Sequence, residues 1–254
     1  MKTDQRTQVL ATALSVLLST AASLRADVLA YWDMQATPSA NKLIPTSVGS
    51  GLTAGSLALV NLNAPGELNL SFDTADKYVA LSRSSTTGGS SDLSLGAALA
   101  EATYFSLTLT PDLGQALTIS SLSFDCFAGT AGPSDRRLFL FSNKVGYTSG
   151  DLLFGAGTAD TPGGTFPGSP IIPYNTATSD QNFFIDLSGN SAFANITDSV
   201  TFRIYLRTPT VSQNLAFDNL TVNGTVIVVP EPSSLVLLGI GGLGLVAIRR
   251  RHQK

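Results

Sequence analysis

The chain has 254 residues, only 13% of them charged, with one Cys, one Trp and a single histidine, His252. Residues 27–229 therefore hold no imidazole, which excludes Ser-His-Asp and Cys-His nucleophile systems, His-ligated zinc and HExxH metalloprotease chemistry. The same residues carry eight Lys or Arg against sixteen Asp or Glu, a net −8 with the cations scattered, so the clustered basic surface that a nucleic-acid partner needs is missing.

In chain order, Lys2 and Arg6 precede an apolar stretch, Val9 to Ala22, followed by Leu24-Arg25-Ala26 and Asp27. A charged start, a short apolar run and a small residue before a polar boundary predict a secretory signal helix over residues 1–26, cut by signal peptidase between Ala26 and Asp27. An amphipathic helix of the fold is the alternative, but the run is apolar on every face. Export would permit disulfides, yet Cys126 is alone, and its alternation with Phe124 points it into an apolar layer as a buried structural thiol.

From Asp27 to Val229 short runs alternate with period two and are broken by Gly, Pro, Ser, Asn and Asp. Thr103–Thr110 places Phe105, Leu107 and Leu109 on one face, and Val200, Phe202, Ile204 and Leu206 alternate with Thr201, Arg203, Tyr205 and Arg207; both predict half-buried strands. Further strands are expected at 28–34, 57–62, 68–72, 78–81, 117–127, 138–141, 183–187, 215–222 and 225–229, with Asn223-Gly224 as the hairpin turn between the last two. One short helix is expected within 93–102. Residues 84–91 and 155–170 read as low-complexity loops, either surface connections or a ligand rim. Many short strands with turn-rich connections predict an all-β, two-sheet antiparallel sandwich of jelly-roll type over 27–229.

The end reads Pro230-Glu231-Pro232, then an apolar run from Leu235 to Ile248, then Arg249-Arg250-Arg251-His-Gln-Lys. As a helix the run would be about 21 Å long against a hydrocarbon core of roughly 30 Å, so it predicts a marginal transmembrane helix. The Arg cluster keeps the tail cytoplasmic and the sandwich outside. Gly239-Ile-Gly241-Gly-Leu-Gly244 matches a dinucleotide fingerprint but has no strand before it and no acidic residue beyond it; small residues for helix packing in a membrane explain it. This three-part end, residues 230–254, resembles the PEP-CTERM sorting signal of bacterial exported proteins. The resemblance implies anchoring in the membrane, processing by an exosortase near Pro230-Glu231-Pro232, and delivery to the cell surface or an exopolysaccharide matrix. A GPI signal is the look-alike, but its tail would end in apolar residues.

Val28-Leu-Ala-Tyr-Trp-Asp33 and Leu215-Ala-Phe-Asp218-Asn-Leu-Thr-Val222 resemble the first and last strands of jelly-roll modules in carbohydrate-binding and laminin-G-like proteins. The resemblance implies a non-catalytic glycan-binding or matrix module whose partner is an extracellular polysaccharide. Sugar stacking would need an exposed ring beside hydrogen-bonding side chains, and Trp32, Tyr78, Tyr147 and Tyr174 are the candidates, with packing the ordinary alternative. The competing reading is a polysaccharide hydrolase or lyase working through paired carboxylates, but no pair stands out by spacing and no catalytic residue or cofactor is nominated. If the first and last strands are neighbours, Asp33 and Asp218 come together and would suit a structural Ca²⁺; alternatively, Asp218 accepts hydrogen bonds from nearby amides.

Overall fold

The computed structural model describes residues 27–35, 39–61, 68–72, 79–83, 93–128, 136–158, 171–172, 181–207 and 214–229. The expected signal helix and the apolar run 235–248 lie outside them, and no described helix is long and apolar enough to cross a membrane. The strands are β1 Asp27–Trp32, β2 Ser47–Val48, β3 Leu52–Ala54, β4 Ala58–Asn61, β5 Leu68–Phe72, β6 Val79–Arg83, β7 Thr103–Pro111, β8 Gln115–Ala128, β9 Arg137–Ser142, β10 Phe154–Thr158, β11 Ile171–Ile172, β12 Gln181–Asp186, β13 Val200–Arg207 and β14 Asn214–Val228; one α-helix, α1, spans Leu95–Glu101.

These strands form two sheets. The first runs β12-β8-β14-β1-β2, with β6 on β14 and β5 on β6; the second runs β11-β10-β9-β13-β7-β3, with β4 also on β7. Every pairing is antiparallel except β10 with β11. The expected all-β, two-sheet sandwich is therefore what the chain forms.

Period-two patterning decides which side of each strand faces the core. Leu122, Phe124 and Cys126 of β8, Phe183 and Ile185 of β12, Phe202 and Ile204 of β13 and Leu215 and Phe217 of β14 are all buried in one cluster. At its centre Phe124 packs on Phe154, Phe183 and Phe217 with ring centroids 5.7 to 6.3 Å apart. Burial of a side chain of this size contributes roughly 2 to 3 kcal/mol. Cys126 lies in this layer, fully buried.

A smaller cluster sits on the outer side of the second sheet, where Tyr104, Phe139, Phe141 and Tyr205 meet Ala98, Leu95 and Leu99 of α1. The helix starts because the Ser94 Oγ accepts from the Ala97 amide at 3.2 Å, and it ends at Ala102 in the left-handed region, φ 51°.

Two expectations are corrected. Gly155 to Thr158 is not loop but most of β10: Gly155 to Gly157 pair with Phe139 to Arg137, and Thr158 with Ile172. Asn223-Gly224 is not a turn either, because β14 runs unbroken past it and pairs with β8 from Ala128 to Gln115, with the register shifting between Asn223 and Gly224. The glycine serves a close approach of backbones. A Cβ on Gly224 would press on the Thr118 carbonyl oxygen and lie 2.9 Å from the Leu29 Cδ1.

Gly224→Ala should therefore destabilise the sandwich by about 3 kcal/mol through overpacking. Gly189→Ala, where an added methyl meets only open space, should change stability by less than about 0.5 kcal/mol. Chemical-denaturant midpoints of the two variants test this, and equal midpoints would contradict the close-approach account.

Candidate functional site

The outward face of the first sheet carries an unusual set of side chains. In β12, Phe183 and Ile185 point to the core while Phe184 between them points out and is 64% exposed. Inter-strand register then lays a row across the sheet. Phe184 stands opposite Ser123, Ser123 opposite Thr221, Thr221 opposite Tyr31, and Tyr31 opposite Ser47. Phe184 and Tyr31 are three strand spacings apart, about 14 Å, with two short hydroxyl side chains between them. The next row toward the Ala128 end of β8 holds Asn182, Asp125 and Asp218, and the row on the other side holds Asp186, Ser121 and Asn223.

A bulge in β14 organises the first of these rows. The register shifts between Asp218 and Thr221, and Asn219 takes a left-handed backbone, φ 51°. Asn is among the few non-glycine residues that adopt it at low cost. Its side chain then bridges the sheet: Oδ1 accepts from the Tyr31 hydroxyl at 2.6 Å, and Nδ2 donates to Asp125 Oδ2 at 2.8 Å. Asn182 Nδ2 donates to the other Asp125 oxygen at 2.8 Å. Burial, and then the negative charges of Asp218, Asp33 and Asp125, push the Tyr31 phenol above its ordinary value, so at neutral pH it remains a donor.

β1 and β14 are neighbours, with Trp32 opposite Leu220, and this sets Asp33, just past the end of β1, beside the interior stretch of β14 that carries Asp218. Gln35 spans them: its amide N donates to Asp33 Oδ1 at 3.1 Å and its Nε2 reaches Asp218 Oδ2 at 3.5 Å. Asp218 Oδ1 also accepts from the Asn219 amide at 2.8 Å. The turn that carries Gln35 passes through Met34 at φ 53°, whose carbonyl accepts from the buried Lys42 Nζ at 3.1 Å. Among the described residues no group of three or more His, Cys, Asp or Glu is arranged to hold a metal ion.

The expected stacking rings fare differently. Trp32 is fully buried and belongs to the core, because its strand position shares the inward face with Ala30 and Leu220. Tyr147 is half-buried, with the Arg203 guanidinium 3.7 Å from its ring centroid. Tyr78 and Tyr174 lie outside the described residues, as do Pro230, Glu231, Pro232, Arg249, Arg250 and Arg251. Sequence reasoning missed Phe184; the signal was the pair Phe183-Phe184, which on a strand must send one ring out.

Residues 228–251 match the PEP-CTERM protein-sorting motif, beginning at the last residue of β14. Among curated proteins no sequence match was found. Several solved structures are similar in outline. The xylan-binding domain of a Paenibacillus barcinonensis protein is 10% identical over 80% of this chain and 97% of that one, TM-score 0.34. A family 11 carbohydrate-binding module of a Clostridium thermocellum cellulosomal cellulase is 11% identical over 80% and 97%, TM-score 0.31. A cleaved adhesin domain of Lys-gingipain from Porphyromonas gingivalis is 15% identical over 70% and 92%, TM-score 0.33. Likeness at this level carries no argument about ligand or activity.

Proposed function

We propose that this protein is an exported, non-catalytic glycan-binding module displayed at the cell surface or in an extracellular polysaccharide matrix, and that the outward face of the first sheet is its binding surface. The exposed Phe184 carries the reading. It is a flat apolar platform among polar neighbours, and the apolar C–H face of a pyranose fits a ring flanked by hydroxyls, amides and a carboxylate. Ser123, Thr221, Asn182, Asp125 and Tyr31 supply donors and acceptors for a sugar's hydroxyls; Asn182 is held by Asp125, and Asp125, Tyr31 and Thr221 by Asn219, which lowers the ordering cost of binding.

Asp125 and Asp218 act in this reading as acceptors, since both oxygens of each already accept from amide groups. That use argues for recognition over glycosidic cleavage, which needs one protonated carboxyl. A glycan array probed with the full chain in detergent should show selective retention, lost by at least about ten-fold in Phe184→Ala. Equal retention by the variant would remove this surface from consideration.

The sorting motif supports the delivery route. After signal peptidase acts, the run 235–248 anchors the chain and an exosortase cuts near Pro230-Glu231-Pro232. Mass spectrometry of the surface fraction should find a C-terminus near those residues. An intact Lys254 there would leave a simple tail anchor instead.

Asp33 and Asp218, with neighbouring carbonyls, are also proposed to take a structural Ca²⁺. The supporting observation is that Asp218 stands directly opposite Asp125 across the sheet, a like-charge pairing that a cation would relieve. Saturating calcium, at about 100 times the dissociation constant, would stabilise the fold by roughly 2.7 kcal/mol. Wild type should melt several degrees higher in calcium than in chelator, and Asp218→Ala should not; identical wild-type melting in both buffers would leave the hydrogen-bonded turn as the whole account.

A further inference from the structure

The outer face of the second sheet holds a different arrangement. In a body with twice as many carboxylates as cations, Lys144 pairs with Asp198 and Arg207 with Glu101. Arg203 has no carboxylate within ion-pair range among the described residues. It is held by aromatic rings: its guanidinium carbon lies 4.3 Å from the Tyr104 ring centroid and 3.7 Å from that of Tyr147. The guanidinium is thus within cation–π range of two phenol rings at once, while the residue as a whole is half-exposed. Its Nε is buried with no acceptor.

Cation–π contact with two rings and a hydrogen bond to the Tyr205 hydroxyl satisfy the charge in part but leave the guanidinium without an anion among the described residues. Its N–H groups form the planar fork that matches a carboxylate bidentately. Clamping by the rings removes rotamer freedom before any ligand arrives, so little ordering cost remains. Burial raises the Tyr205 hydroxyl pKa, opposed by a hydrogen bond from Arg203; burial also raises that of Tyr147, opposed by the Arg203 charge. Both phenols therefore stay protonated beside the guanidinium at neutral pH.

From this point a track of hydroxyls leads down the sheet. Ser106 is opposite Arg203, Thr108 is opposite Thr201 with their oxygens 2.9 Å apart, and Thr110 lies 2.9 Å from Ser199. All are side chains of β7, β13 or the turn before β13 on the outward face; Thr108, Thr201, Thr110 and Ser199 are half-exposed, while Ser106 is buried and donates to the Ala58 carbonyl at 3.3 Å.

We infer that Arg203, clamped between Tyr104 and Tyr147, binds the carboxylate of a uronic-acid residue in an acidic polysaccharide whose neighbouring sugars lie along the Thr108–Thr201 and Thr110–Ser199 hydroxyls. This second surface, on the opposite side of the sandwich from Phe184, rests on the glycan-binding reading and adds the class of sugar. An acidic peptide would offer the same carboxylate but has no use for a hydroxyl track.

The test is affinity electrophoresis of the full chain in detergent against polygalacturonate, a neutral galactan and polyglutamate, with Gly189→Ala as an unaltered control. Polygalacturonate should retard the wild type in a salt-sensitive manner. Arg203→Gln should weaken that retardation by at least about ten-fold, and Arg203→Lys, which keeps the charge but lacks the planar fork, should also weaken it. Melting curves establish that each variant is folded. If Arg203→Gln unfolds, Arg203→Lys alone decides. Undiminished retardation in a folded Arg203 variant, or equal retardation by polyglutamate, overturns the assignment. Retardation by the neutral polymer alone defeats the uronate site while leaving glycan binding standing, and no retardation by any polymer defeats both.

Discussion

The pairing of β8 with β14 is the constraint on which the rest of the molecule depends. β14 is central in the first sheet and also takes β1 and β6 as partners along its length, so its register dictates where four strands place their side chains. Two irregularities within it do the positioning. At Asp218 to Thr221 the shift frees Asn219 to reach Tyr31 on one side and Asp125 on the other. At Asn223 to Gly224 the absence of a side chain lets the two backbones close up against Thr118 and Leu29. A bulge commonly re-aims a side chain at a functional surface, and here it turns a strand interior into the hub of a polar network.

The two outer faces differ because they are covered differently. Much of the second sheet's outer face lies beneath α1 and the Tyr147 loop, and this buries Tyr104, Phe139, Phe141 and Tyr205 and leaves Arg203 at the rim of a small apolar layer. The described outer face of the first sheet has no such cover over β12, β8 and β1, so most of its outward positions are Ser, Thr, Asn and Asp, with Phe184, Tyr31 and the half-exposed Val28 among them. The lone Cys and the missing imidazoles follow the same logic. Core positions are filled by Phe, Leu, Ile and Val, and polar positions by groups that hydrogen-bond without titrating near neutrality.

How much of this was legible in the sequence varies with the physics of each element. Thr103–Thr110 and Val200–Arg207 alternate because each has one face in the main core, and β13 occupies the residues expected; that their outward Tyr104 and Tyr205 are buried as well depends on the helix packed over them. The Cys126 environment and the motif at the end were legible for the same reason: the pattern is local. β14 was split in two because Asn-Gly is the strongest hairpin signal in a chain, and nothing local reveals that an opposing carbonyl forbids a side chain at Gly224. β2, β3 and β11 are too short to show any period. The Arg203 clamp joins three segments far apart in sequence, Tyr104, Tyr147 and Arg203, so only the assembled sheet could disclose it. Asp33 and Asp218 were brought together by a topological expectation, and β1 does pair with β14.

The end of β14 ties these surfaces to the route of delivery. Its last ladder contact is the Val229 amide donating to the Gly114 carbonyl at 2.8 Å. Pro230 has no N–H with which to continue. The sorting motif therefore begins where the sheet must stop, at the end of the sandwich that carries the fully exposed Leu113 and the 72% exposed Val228. Five residues separate Val229 from Leu235, a span of at most about 22 Å. In the proposed anchored state that end of the sandwich faces the bilayer. The Asp218 bulge, ten residues up β14, stands about 33 Å farther out along the strand. Both candidate surfaces lie along strands that rise from that end, so a chain of sugars running up either face could extend away from the membrane. Cutting near Pro230-Glu231-Pro232 would release the sandwich without disturbing a single β8–β14 pair.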